Sequence, residues 1–224
     1  MRVERDRIWL FVGIPKTGKS TAAKLWVAEL LQQAPDAIAI IHDPHGDGHG
    51  GSGFPGRQWE SVGEFRKARK WDRRNVFRGP DVDPEELATL AVAIGETDDT
   101  KGGRPVILVL DELDLVLDRS DPSEAMTRIL QYGRWCRVAL IGTTRRPSTI
   151  GTDVPSLAEG LFLYHIGGHT DLEWVRQVTS PYVRDLVREL PRFQGVYFHG
   201  FEGPCLVTAA GDRLVFTPLP PLVP

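Results

Sequence analysis

Short apolar runs of strand length alternate along this chain with longer segments whose apolar residues recur three and four apart. IWLFVG (8–13) is apolar on both faces and predicts a buried strand, and KSTAAKLWVAELLQQA (19–34) predicts a helix. AIAIIH (37–42) predicts the next strand. A glycine-rich loop follows (46–56), then a basic segment, 58–71, that predicts a helix, and NVFRG (75–79) predicts a short strand. DPEELATLAVAIG (83–95) predicts a helix, with Asp83 as N-cap and Pro84 at its first position. After a polar turn (97–105) comes the most apolar run, VILVLDEL (106–113). A helix over 121–135 is opened by DPSE, and RVALIGTT (137–144) predicts another strand. The remainder predicts a short strand (161–165), helical pieces around 170–190, and antiparallel strands near 195–199 and 204–216. Such alternation argues for an α/β fold: a mainly parallel sheet flanked by helices, with a small antiparallel C-terminal part. Residues 1–216 read as a single domain. The Pro-rich TPLPPLVP (217–224) reads as an extended tail, either a frayed end or an arm reaching a neighbouring subunit.

Composition narrows this only slightly. The 224 residues are 41% hydrophobic and 25% charged, as in ordinary globular proteins. A net charge of −3 excludes a wholesale basic protein, so nucleic-acid binding would need a local patch. Two cysteines, Cys136 and Cys205, give neither a disulfide framework nor a metal-ligand spacing. No stretch resembles a secretory signal, and none approaches the roughly 20 apolar residues of a membrane span. A soluble intracellular protein is expected.

The chemistry lies in two stretches. GIPKTGKS, Gly13 to Ser20, fits G-x-x-x-x-G-K-[ST] between a strand and a helix. Backbone N–H groups of Gly13, Ile14, Pro15–Lys16, Thr17, Gly18 and Lys19 would wrap phosphates, proline supplying none, aided by the positive end of the helix dipole that Ser20 and Thr21 open. Lys19 would reach the β- and γ-phosphates of ATP, and the Ser20 hydroxyl would ligate Mg²⁺. The second stretch ends a buried strand with Asp111, a second Mg²⁺ ligand, and Glu112, which would polarise the attacking water. The bland alternative is an acidic strand end. Tandem Asp-Glu here marks ATPases with an extra strand between the two motifs, and 37–42 and 75–79 are both available for it.

Three further stretches carry a resemblance. DPHGD (43–47), DELD (111–114) and YGRWCRVALIGTTRRPSTI (132–150) resemble, in that order, motifs of the HerA/FtsK superfamily of DNA-pumping ATPases, over roughly residues 8 to 216. The resemblance implies a RecA-like P-loop fold of the additional-strand, catalytic-glutamate type. It implies ATP and Mg²⁺ as ligands, double-stranded DNA as track, and a homo-oligomeric ring, a hexamer ahead of a pentamer. Cellular members carry membrane helices or an N-terminal barrel, for which this chain has no room. A bare motor of this size resembles the genome-packaging ATPases of tailless, internal-membrane icosahedral viruses. That implies a capsid-vertex or portal partner and a place in the host cytoplasm or at a virion vertex. One departure is plain: where the family has Gln before Arg-Pro-Ser, Arg145 stands, after Thr143 and Thr144. Either a threonine hydroxyl or Arg145 would sense the γ-phosphate.

Other residues stay open between two readings. Arg134 aligns with the family's Gly-Arg and would be an arginine finger acting on the neighbouring subunit, with Arg145 and Arg146 as rivals. Its alternative is a surface arginine favoured by the helix C-terminus. The density of His42, Asp43, His45, Asp47 and His49 suggests a metal site, whereas the family position of Asp43 suggests a loop at the active-site edge or DNA channel. EFRKARKWDRRNVFRG (64–79) concentrates Arg66, Lys67, Arg69, Lys70, Arg73, Arg74 and Arg78, as a DNA or subunit surface or a solvated basic face. Its aromatics, Phe65, Trp71 and Phe77, read as core anchors. ATP-driven remodelling of a protein assembly and a metabolic P-loop kinase remain as alternative functions, the kinase disfavoured by Glu112.

Overall fold

The computed structural model describes residues 7–45, 53–79, 81–97, 103–117, 122–150, 153–199 and 202–219. In chain order the elements are β1 (Ile8–Val12), α1 (Lys19–Gln33), β2 (Ile38–Asp43), β3 (Arg57–Trp59), α2 (Val62–Lys67), β4 (Arg74–Arg78), α3 (Pro84–Gly95), β5 (Val106–Leu110), α4 (Asp114–Leu117) and α5 (Glu124–Cys136). There follow β6 (Val138–Thr144), a 3-10 turn (Pro147–Ile150), α6 (Asp153–Leu157), β7 (Gly160–Leu163), α7 (His169–Val178), α8 (Pro181–Glu189), β8 (Gln194–His199), β9 (Glu202–Ala210) and β10 (Arg213–Pro218). This is the mainly parallel, helix-flanked α/β architecture that the apolar pattern predicts, ending in antiparallel strands.

The chain divides into two compact units that interleave in sequence: Met1–Arg7, Val27–Asp111 and Arg119–Ile141 in the first, Ile8–Trp26, Glu112–Asp118 and Gly142–Pro224 in the second. In the first unit β5, β2, β4 and β3 lie side by side, all parallel, with Ile40 opposite Leu108 on one flank and Asn75 on the other. Every residue of β2 and β5 is buried, as strands covered on both faces require. Asp83 caps α3 by accepting from the Glu85 N–H, and Pro84 occupies the first turn, where no N–H is needed. In the second unit β1 pairs parallel with β7, and β8, β9 and β10 extend that run antiparallel. Its core is aromatic: Phe11 stacks on Phe162 at 4.2 Å, and Trp26, Tyr197 and Phe216 all close on the Phe162 ring.

Four sequence expectations need correction. The basic segment 58–71 is not one helix: β3 takes its start, and α2 ends at Lys67. Ser61 caps that short helix and Ala68 leaves it in extended backbone, which lets the Trp71 indole N–H return to the Phe65 carbonyl at 3.0 Å. The Phe65 ring is fully buried and stacks on Trp71 at 4.7 Å, with Phe77 at 5.6 Å, so these aromatics are core anchors. The strand expected to end in Asp111 stops one residue earlier, at Leu110, ahead of Glu112 and its left-handed backbone (φ 68°). The helix expected from Asp121 begins at Glu124 with Ser123 as its cap; Asp121 itself lies outside the described residues. Finally, Thr217 and Pro218 belong to β10, where Pro218 faces Cys205. A proline fits there because the strand pairs on one side within its run. Residues 220–224 of the expected tail lie outside the described residues.

Candidate active site

The phosphate-loop motif spans the exit of β1 and the first turn of α1, entirely within the second unit. Three chain segments fix it. The Gly13 N–H donates to the Thr144 carbonyl at the end of β6, and the Ile14 N–H to the His165 carbonyl beyond β7. On its other limb the Thr17 carbonyl accepts from the Phe193 N–H at 2.9 Å. The Thr17 hydroxyl closes the loop on itself by donating to the Ile14 carbonyl at 2.7 Å. Gly13 has to be glycine: a Cβ there would stand 2.7 Å from the Tyr164 Cβ. Gly18 has a φ of 106°, which side chains rarely adopt, and its bare Cα admits Phe193. Lys19 is buried and Ser20 half-buried, while Ile14, Pro15, Lys16 and Thr21 are exposed. The loop is thus organised by backbone bonds before any ligand enters, with its outer limb open to solvent. Beneath it, burial pushes the Tyr164 phenol well above its ordinary pKa, so the ring is a neutral support.

Glu112 belongs to the same unit. Its N–H donates to the Thr143 hydroxyl at 3.2 Å, and the next N–H, of Leu113, donates to the Thr143 carbonyl at 2.7 Å. Buried Thr143 therefore grips the turn that aims the carboxylate. That carboxylate forms an ion pair with Arg145, whose side chain is 42% exposed. Thr144 is buried and its hydroxyl accepts from the Arg146 N–H at 3.0 Å, so it shapes the chain after β6. By sequence, Thr143, Thr144 and Arg145 are rival sensors. The structure puts Arg145 on the glutamate and Thr143 under it.

In the first unit, Asp111 follows β5 half-exposed, and its N–H extends the pairing with β2 by donating to the His42 carbonyl. A carboxylate and a serine hydroxyl are the hard oxygen donors that Mg²⁺ takes, so the chemistry of Asp111 and Ser20 fits that ion. The histidine cluster separates: His42 is buried in β2, where desolvation lowers its pKa, and His45 is exposed. Asp47, His49 and most of the glycine loop lie outside the described residues. Asp43 is buried and accepts from the Phe54 N–H at 3.0 Å, with Arg78 beside it at 3.9 Å.

Arg134 is exposed in the last turn of α5. The helix is kinked at Tyr132 and closed by left-handed Arg137, and it presents Tyr132 and Trp135 to solvent on either side of that arginine. The basic stretch divides in two. Arg73 reaches the Leu31 and Ala34 carbonyls at the end of α1, and Arg78 serves Asp43 and the Phe54 carbonyl, so both are committed to the fold. Arg66, Lys67, Arg69 and Lys70 are all exposed at and beyond the end of α2. Among the described residues, no helix is long and apolar enough to cross a membrane.

No family model and no curated protein matches this sequence. Solved structures do. The genome packaging NTPase B204 from Sulfolobus turreted icosahedral virus 2, in complex with AMPPCP, superposes with a TM-score of 0.71 at 17% identity, over 96% of this chain and 100% of that one. EccC of Thermomonospora curvata, in a structure of its ATPases 2 and 3 with a signal sequence peptide, gives 0.57 at 15% identity, over 97% of this chain and 37% of that one. The conjugation coupling protein TcpA of pCW3 gives 0.53 at 17% identity, over 88% of this chain and 58% of that one. The fold is thus the RecA-like P-loop fold of these ATPases.

Proposed function

We propose that this chain hydrolyses ATP to move double-stranded DNA, and that it packages a viral genome into a preformed capsid. The observation carrying this reading is the end-to-end correspondence with a packaging NTPase, joined to a phosphate loop and a glutamate held as described above. Residues 1–216, with Thr217 and Pro218 completing β10, then act as one ATPase domain. Lys19 and the loop N–H groups hold the phosphates, and Glu112 takes a proton from the attacking water. Ser20 and Asp111 would hold Mg²⁺, which neutralises phosphate charge when bound. Arg145, already on Glu112, is the group that senses the γ-phosphate, because a trianionic ligand competes with the carboxylate for its guanidinium. The motor works as a homo-oligomeric ring, a hexamer ahead of a pentamer, in the host cytoplasm or docked at a capsid vertex or portal.

The DNA track is tested on the basic stretch. Neutralising Arg66, Lys67 and Lys70 together spares Arg73 and Arg78, which the fold uses. DNA binding should weaken and its log–log salt dependence flatten by about 0.9 for each phosphate no longer neutralised. DNA stimulation of turnover should fall, with ATP affinity kept. A parent protein without DNA affinity at low salt in the presence of ATP would end the translocase reading. The likeness to EccC favours a second reading, ATP-driven remodelling of a protein assembly, in which a protein partner and not DNA raises turnover.

Arg134 is proposed as the finger that completes a neighbour's site, stabilising transition-state charge. Arg134→Ala subunits should bind ATP and be inactive alone. Mixed with Lys19→Ala subunits they should recover part of the turnover, since intact arginine then meets an intact loop at some interfaces. Mixed rings without recovery would return Arg134 to a surface role.

A further inference from the structure

Phe193 is an aromatic residue that the fold holds under strain and does not bury. The residue is 61% exposed, whereas Phe11, Phe162, Tyr164 and Tyr197 of the same unit are all buried. Its φ is 66°, a left-handed conformation that costs a bulky residue of this kind appreciable strain and normally falls to glycine or asparagine. The strain is imposed by the tight turn that feeds β8, in which the Gln194 N–H donates back to the Pro191 carbonyl at 3.3 Å. β8 then runs between β7 and β9, so the turn stands on paired strands. The outcome is a fixed placement: the Phe193 N–H is on the Thr17 carbonyl, and a Cβ on Gly18 would lie 3.2 Å from both the Phe193 Cα and Cδ1. Burial in the core does not account for an exposed aromatic residue on strained backbone, held by its main chain against the outer limb of a phosphate loop.

We infer that the Phe193 ring is the stacking platform for the nucleobase of the nucleotide whose phosphates the loop holds. This rests on the nucleotide-site reading above and adds the interaction that distinguishes a nucleotide from a bare polyphosphate. A phenyl face offers no hydrogen-bond code, and every base has a π-face, so the platform accepts purines and pyrimidines alike and favours the larger ring system. The ring is in place before the ligand arrives, so little side-chain entropy is lost on stacking.

The test compares Mg–ADP with Mg–pyrophosphate, which share the diphosphate and differ in the nucleoside, titrated calorimetrically into the full chain. The parent should bind ADP more tightly than pyrophosphate. Phe193→Ala should weaken ADP by about 5- to 100-fold, the range of one base–aromatic stack, and leave pyrophosphate within about twofold. Phe193→Leu, equally apolar without the π-face, should recover only part of that loss, and Phe193→Tyr should match the parent. Unchanged pyrophosphate binding also reports that the loop is intact in each variant. Equal losses for both ligands would make Phe193 a brace for the loop and overturn the platform. Unchanged ADP binding in Phe193→Ala would overturn it as well and assign the exposed ring to a second copy or another partner. A parent that binds neither ligand fails at the nucleotide site itself, an outcome distinct from the other two.

Discussion

Glu112→Gln should hold ATP and not cleave it, with single-turnover hydrolysis reduced by about 10²- to 10⁴-fold, the range for loss of a positioned general base. The substitution is nearly isosteric, and the bonds that aim the turn survive it, because Thr143 receives them from the main-chain N–H groups of residues 112 and 113. What disappears is the negative charge. Without it water is not polarised, and Arg145 loses its anionic partner. The freed guanidinium then turns toward the bound triphosphate, the strongest anion at the site, so ATP affinity should be kept or raised. Quenched-flow hydrolysis together with equilibrium nucleotide binding separates the two effects. Hydrolysis at the parental rate would place the catalytic carboxylate elsewhere.

Lys19→Ala should act one step earlier and remove ATP binding. Lys19 is buried at the first position of α1, and in the proposed site its ammonium would be the principal cation offered to the β- and γ-phosphates. Losing charge-assisted bonds to two phosphates is worth about 3 kcal/mol or more, a fall of at least roughly 100-fold in affinity. Alanine is a strong helix former, so α1 should persist and the melting temperature should change little. Isothermal titration at matched thermal stability is the measurement, and parental affinity would remove the loop from the active site.

Legibility in the amino-acid sequence follows from how local each feature is. β1 and β5 announce themselves as uninterrupted apolar runs, and β2 and β6 as runs of four apolar residues before a polar end, because every residue in them is buried. Asp83-Pro84 announces its helix because both residues act within one turn. The phosphate loop is legible for the same reason: its glycines, lysine and serine fall within one short stretch between β1 and α1. The basic segment misleads because charge spacing suggests a helical face, whereas the chain is ended and folded back by tertiary packing of Trp71 on Phe65. The Arg145–Glu112 pair joins the segments that follow two different strands, and the hydrogen bond from the Phe193 N–H to the Thr17 carbonyl joins a C-terminal turn to an N-terminal loop. No local pattern encodes either. The departure at Arg145 from the motif that the sequence resembles is visible in sequence, but which group it meets depends on the turn at Glu112.

If Glu112 is the catalytic carboxylate proposed above, that turn sets thermostability and turnover against each other at this residue. Glutamate in a left-handed conformation costs about 1 kcal/mol relative to a residue that accepts it freely. Glycine at position 112 would relieve the strain, and a chain selected only for resistance to heat would drift toward it. Retaining glutamate there is a standing handicap in folding, tolerated because margins of this size are small against the total stability of a domain. Stabilising substitutions away from the proposed site would therefore raise the heat tolerance of this chain without loss of rate, whereas any found at residue 112 should lower turnover on that reading.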